Sequence, residues 1–413
     1  MSLLKRILII VVIVIVVTIS SVVYYYSPLF KPFPSLSGKY SVGSEQICWE
    51  DKNRNEPHSK ETTDFLKPNR KIMAEFWYPS AVDVGSKKKY INNKLELFEK
   101  DLSRQFLMPT FLSSLLFSIE TPVLKDSPVA DLEKPMPVII ISHDYPLMKE
   151  NYGYIAYELA SHGYLVVSID HTHISGFTYF PDRILVFSSR IDKAISKKKW
   201  VEEKSKIMAD DIKFAIETLT IGANNPENMF YKKLDLNNIG LIGHGLGGVA
   251  ALKLGLKLEN VKAIVDLDGW SQKSNLQDGK DKPVFVLFAS AGSINTGLNA
   301  KDVSNKRKAF LEFCSYHKFC FVDMFNGLGH FGFSDFVLLK SPLKKILGIG
   351  DIDSYKVIDR VNKAAVSFFN YYLKESQNQA FVDNVSRRSE SFKRWLQMRA
   401  AVNMTGNQSG LSM

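Results

Sequence analysis

Two of the three residue types that hydrolyse esters as a triad stand in order near the ends of apolar runs, and the third is missing. Asp268 closes VDLDGW, His330 sits in FNGLGHFGFSDF, and both follow NNIGLIGHGLGGVAAL at 237–252. That last stretch has the form of a nucleophile elbow: strand, strained turn, helix. Small residues are needed two before and two after the nucleophile, because the turn brings strand and helix too close for side chains. Gly243, Gly247 and Gly248 meet this need around position 245, but position 245 is itself glycine. A serine there would attack an ester carbonyl, His330 would take its proton, and Asp268 would orient the imidazole. Glycine offers no such atom, so no acyl-enzyme can form through it.

The same glycines allow a second chemistry. Gly243, Gly245 and Gly248 spell G-x-G-x-x-G, and Asp266 and Asp268 follow about twenty residues later, where an acid would meet a ribose hydroxyl. That fingerprint belongs on the first strand of a dinucleotide-binding domain, and at least three strand candidates precede it here. The hydrolase reading uses more of the chain.

Strand candidates for such a site are KIMAEFWYP (71–79), PVIIIS (137–142), YLVVSID (164–170), NIGLIG (238–243), VKAIVDLD (261–268), KPVFVLFA (282–289) and HKFCFVDMF (317–325). KIMAEFWYP alternates like a strand, while the short, continuously apolar PVIIIS suits a strand covered on both faces. NYGYIAYELASHG (151–163) has helical spacing and stops at a glycine, and ADDIKFAIETL (209–219) carries an apolar face behind an acidic opening. Strand and helix alternating over about 300 residues imply an α/β fold with a mostly parallel sheet. The charged segment 171–208 interrupts the rhythm and is expected above the carboxyl ends of the strands, as a lid or a solvated excursion. One further helical segment, 389–402, is expected in the polar tail.

The chain has 413 residues, 45% of them hydrophobic and 23% charged, which are globular values. Its net charge of +10 is dispersed, without an aromatic-interleaved basic stripe, so no nucleic-acid partner is expected. After Lys5 and Arg6, residues 7–26 form an uncharged run ending in three tyrosines. Its length suits a helix across a hydrocarbon core of ~30 Å, with the tyrosines at the far interface. It lacks the shorter apolar region and small-residue cleavage site of a signal peptide. The expected organisation is therefore a cytoplasmic start (1–6), a membrane anchor (7–26), a stalk with entry strands (27–70), an α/β domain outside the cytoplasm (71–375) and a polar tail (376–413). Three cysteines exclude a disulfide framework and a zinc motif; Cys314 and Cys320 could pair in an oxidising compartment or stay as buried thiols. Asn384 and Asn403 begin glycosylation sequons if the source is eukaryotic.

At these residues the chain resembles the α/β-hydrolases of the platelet-activating-factor acetylhydrolase type, related to bacterial lipases and dienelactone-hydrolase-like esterases. The family elbow G-H-S-x-G-G is matched by Gly243-His244-Gly245-Leu246-Gly247-Gly248, and its D-x-W by Asp268-Gly269-Trp270. Its H-x-x-F-x-D-F is matched by His330, Phe333, Asp335 and Phe336, and its S-H-G loop by Ser142-His143-Asp144-Tyr145. The resemblance implies an α/β-hydrolase fold and a carboxylic ester hydrolase with no cofactor and no metal. Its oxyanion donors would be the backbone N–H groups of Leu246 and Tyr145. Two departures, glycine for serine at 245 and Asp144 for the family's glycine, read as separate defects, since a carboxylate there opposes the charge an oxyanion hole stabilises. The expectation is a catalytically silent or impaired member that retains a lipid or small-ester ligand. Three alternatives stay open: weak hydrolysis by a water on the Asp268–His330 pair, a serine at 245 in the natural gene, and dinucleotide binding.

Overall fold

The computed structural model of the chain describes residues 30–57, 68–91, 119–182, 184–189, 195–269, 282–289, 312–314, 317, 319–341 and 343–374, with 5, 13–15, 17 and 18. Its strands are β1 (Val42–Asn55), β2 (Asn69–Pro79), β3 (Lys87–Lys89), β4 (Glu120–Lys125), β5 (Met136–Ser142), β6 (Leu165–Asp170), β7 (Phe177–Tyr179), β8 (Leu185–Phe187), β9 (Leu234–His244), β10 (Val261–Leu267), β11 (Val284–Ala289) and β12 (Cys320–Phe325). The α-helices are α1 (Gly153–Ser161), α2 (Lys197–Ala223), α3 (Leu246–Gly255), α4 (Leu343–Ile346) and α5 (Ser354–Leu373).

Ten strands form one sheet in the order β12-β11-β10-β9-β5-β6-β2-β1-β4-β3. The run from β12 to β6 is parallel, and β2 joins β6 antiparallel, so the chain builds a parallel half with a mixed extension in which β1 and β4 pair parallel. All seven expected strands are present, within a few residues of their anticipated ends. In β5, Val138 and Ile140 feed one core while Ile139 and Ile141 feed the other, which is why PVIIIS is apolar without interruption. Residues of α1 and α5 fill the core of Ile139 and Ile141, those of α2 and α3 the core of Val138 and Ile140.

The helix expected at 209–219 begins twelve residues earlier, at Lys197, where Ser196 caps it by accepting from the Lys199 N–H at 3.3 Å. Its charged start is one face of an amphipathic helix: Lys198 and Lys199 pair outward with Glu202 and Glu203, while Trp200, Val201 and Met208 are buried. The segment 171–208 thus holds β7, β8 and the first turns of α2. Of the expected membrane helix, residues 13–15, 17 and 18 are described and helical. Among the described residues no helix is long and apolar enough to cross a membrane, and the rest of 7–26, with Trp270, Asn384, Asn403 and 389–402, lies outside them. Cys314 and Cys320 form a disulfide, with Cα atoms 5.1 Å apart, at the start of β12, and Cys48 is half-buried with a free thiol.

Asp211, expected as an acid near a helix start, lies in mid-helix and fully buried, as does Arg70 of β2. Arg70 grips both carboxylate oxygens of Asp211 at 2.7 and 2.6 Å and reaches Glu56 at 2.8 Å; Arg54 adds a contact to Asp211 at 3.0 Å. Burial opposes both charges, yet the pairing holds Asp211 well below the usual carboxylate range. Removing one partner strands the other in the core, so Arg70→Met should cost ~3–5 kcal/mol of unfolding free energy in urea titrations. A loss under about 1 kcal/mol would mean the pair is dispensable.

Candidate active site

The site is built where the parallel strands end. Asp144 lies two residues beyond β5, Gly245 directly follows β9, Asp268 directly follows β10, and His330 lies five residues past β12. Gly245 has φ 52° and ψ −114°, a strained conformation open to glycine at little cost. The neighbouring glycines permit close packing, not a ligand cradle. A Cβ on Gly243 would overlap the Gly247 backbone, one on Gly247 the carbonyls of Ser142 and His143, and one on Gly248 the Asp266 carboxylate. With Asp266 fully buried against Gly248 and Gly269, neither pyrophosphate nor ribose has a place. The dinucleotide reading therefore does not fit this turn.

Asp268 and His330 meet as the triad order requires. His330 Nδ1 donates to Asp268 Oδ2 at 2.7 Å, and Asp268 Oδ1 accepts from the Ala289 N–H at 3.3 Å. The other face of the ring does not look into an empty space. His330 Nε2 donates to Asp144 Oδ2 at 2.8 Å, and Asp144 Oδ1 accepts from the Leu246 N–H at 2.7 Å. A Cβ on Gly245 would overlap that same carboxylate. Leu246, expected to donate to a substrate oxyanion, is thus already satisfied at the N-terminus of α3, where a negative charge is favoured. The second expected donor, Tyr145, sets its ring edge-on against Trp200 of α2 at 5.0 Å. Asp144 thus occupies the Leu246 donor, one of the two expected.

Electrostatics follow the geometry. Burial disfavours the imidazolium, but the Asp144 and Asp268 carboxylates outweigh it and raise His330 to about 9. Burial likewise opposes ionisation of Asp144, and His330 with the Leu246 N–H pulls its pKa below the ordinary value. At neutral pH the pair is an imidazolium between two carboxylates, with side-chain exposures of 4% for His330, 5% for Asp144 and 21% for Asp268. Only the Asp268 end is open to solvent to any degree.

Histidines behind the site hold it in place. The Asp144 N–H donates to the Tyr152 hydroxyl at 2.9 Å, and that hydroxyl donates to His244 Nδ1 at 2.9 Å. His244 Nε2 then donates to the His330 carbonyl at 3.1 Å, so this residue of the elbow points away from the cleft. Burial first, then His330, pushes His244 down to about 3, and it is neutral. On the far side, His143 Nδ1 donates to the Asp144 carbonyl at 2.8 Å, while its Nε2 accepts from the His171 N–H and from Ser175. Asp335 accepts from the N–H groups of Gly153 and Tyr154 at 2.7 and 3.0 Å, tying the His330 turn to the start of α1.

Two other groupings invite comparison with active sites. Asp144, His244 and His330 place ligand-type atoms within 4.8 Å of one another. A cation would need lone pairs on both rings, and all four ring nitrogens are committed to the hydrogen bonds above, with the Asp144 charge already matched by His330. The set fits an ion pair better than a metal. Separately, Ser142 Oγ donates to His171 Nε2 at 2.9 Å and His171 Nδ1 donates to Asp211 at 3.0 Å, the connectivity of a triad. All three are buried to within 1% exposure, so substrate cannot reach the hydroxyl and the trio is a strut linking the Arg70 cluster to the Asp144 loop.

Because His330 is raised from 6.5 to about 9, the stability it contributes is fully present below 6.5 and is lost as pH climbs through 9. Asp144 contributes above its ordinary 3.8 and loses that only as pH falls through its depressed value. Urea unfolding should weaken by up to ~3 kcal/mol between neutral pH and about pH 10, and by much less in Asp144→Asn. A flat profile in the parent protein would rule out the buried imidazolium.

The sequence profile described as "Platelet-activating factor acetylhydrolase, isoform II" matches residues 29–391. The chain is 25% identical over 374 residues to the platelet-activating factor acetylhydrolase of Canis lupus familiaris, covering 82% of this chain and 77% of that one. To the Cavia porcellus protein of that name it is 24% identical over 349 residues, 78% of each chain. Among solved structures, it is similar to a ferulic acid esterase from Streptomyces cinnamoneus, with TM-score 0.64, 20% identity and coverage of 84% and 94%. The fold is that of the α/β-hydrolases, and the chain belongs to the isoform II family of platelet-activating factor acetylhydrolases.

Proposed function

We propose that this protein is a family member in which the serine route to ester hydrolysis is closed, and that it acts by holding an acetyl-ester lipid or a related small ester. One observation carries the reading: the Asp144 carboxylate stands against Gly245, bonded to both Leu246 N–H and His330 Nε2. The ligand class follows from the relatives, which are named for hydrolysis of platelet-activating factor. The Cys314–Cys320 bridge supports folding in an oxidising compartment, in line with an anchor at 7–26 and a domain outside the cytoplasm.

The same geometry counts against the two catalytic alternatives. A water mechanism needs an Nε2 lone pair on His330, and that nitrogen carries a proton engaged by Asp144. A serine lost only at 245 would leave position 144 as the family has it, whereas both positions have changed in matching fashion. Full-length protein in detergent should turn over short-chain nitrophenyl esters no faster than buffer and should resist a fluorophosphonate probe. Turnover that disappears in His330→Ala would overturn this reading.

A further inference from the structure

Resting on that reading of a closed site, we propose that Asp144 and Gly245 are one reciprocal device and that a latent serine esterase survives beneath it. The Asp144 carboxylate is a resident anion that takes two places at once. Its Oδ1 accepts the Leu246 N–H at 2.7 Å, the bond an oxyanion would take; its Oδ2 accepts His330 Nε2 at 2.8 Å, the bond a nucleophile's hydroxyl would make. The vacancy left by glycine is the volume this carboxylate needs, since any Cβ at 245 would overlap it. The backbone that carries it is held on both sides, N–H to Tyr152 and C=O to His143, at 2.9 and 2.8 Å.

Three further parts that acyl transfer uses are in place: the strained elbow, the Asp268–His330 contact and a donor at Leu246. Gly245→Ser alone drives its Cβ into the carboxylate and leaves His330 protonated. Asp144→Gly alone frees the histidine but supplies no nucleophile. With both changes, the introduced hydroxyl gives its proton to His330 Nε2 as its oxygen bonds the acyl carbon. The ester C–O bond then breaks, the proton passes to the departing alcohol, and water releases the acid by the reverse sequence.

The test compares the full-length parent, both single variants and the double variant, by acetyl-ester turnover, fluorophosphonate labelling and histidine-ring NMR titration. Only the double variant should be labelled and turn over ester, at least ~10²-fold above either single variant, with both signals lost on adding His330→Ala. His330 should titrate near 9 in the parent and well below that in Asp144→Gly. Labelling of the Gly245→Ser variant at the rate of the double variant overturns the reciprocal device, as does a folded double variant that stays unlabelled. If the double variant does not fold, Asp144→Gly decides: a His330 still titrating near 9 overturns it. Activity in the parent that depends on His330 would instead defeat the closed-site reading, so the two failures are distinguishable.

Discussion

The site turns on one buried contact, the hydrogen bond from His330 Nε2 to Asp144 Oδ2. A lone imidazolium in this setting would lose its proton to burial, and a lone carboxylate would gain one. Together each supplies the opposite charge that keeps the other ionised, and Asp268 and the Leu246 N–H complete their bonding. The pair sits within the turn between β9 and α3, with the Asp144 carboxylate against Gly245.

Such a contact needs a rigid frame, because half an ångström of slack would leave a buried charge poorly paired. The frame is a chain of hydrogen bonds running from Arg70 through Asp211, His171 and His143 to the Asp144 carbonyl. From the Asp144 amide it continues through Tyr152 and His244 to the His330 carbonyl. Four of its members, His143, His171 and His244 with basicity lowered by burial and Tyr152 with acidity weakened by burial, are neutral connectors and not acids or bases. The catalytic-looking trio of Ser142, His171 and Asp211 belongs to this frame.

Much of the architecture could be read from the chain because strands leave an alternating or continuously apolar pattern, and all seven segments read that way are strands. Asp268 and His330 were legible for a related reason: each follows the end of one of those runs. The start of α2 was not, since its first turns alternate buried Trp200 and Val201 with outward Lys–Glu pairs and resemble a solvated loop. Asp211 could not be paired with Arg70, 141 residues away in sequence, by any local signal. The relation of Asp144 to Gly245 was present in the letters, as one residue too large and one too small. Read singly they are two defects; only their distance in space makes them one fit.

The proton on His330 has a consequence for how the cleft is seen from outside. A resting triad with neutral histidine carries the single negative charge of its acid. Here a second carboxylate has been added, and the histidine has taken up one proton to meet it, so the cluster's total is again a single negative charge. Seen from the Asp268 edge, the cluster therefore presents the same net charge as a triad with neutral histidine, although its proton count and its carboxylate count are both higher by one.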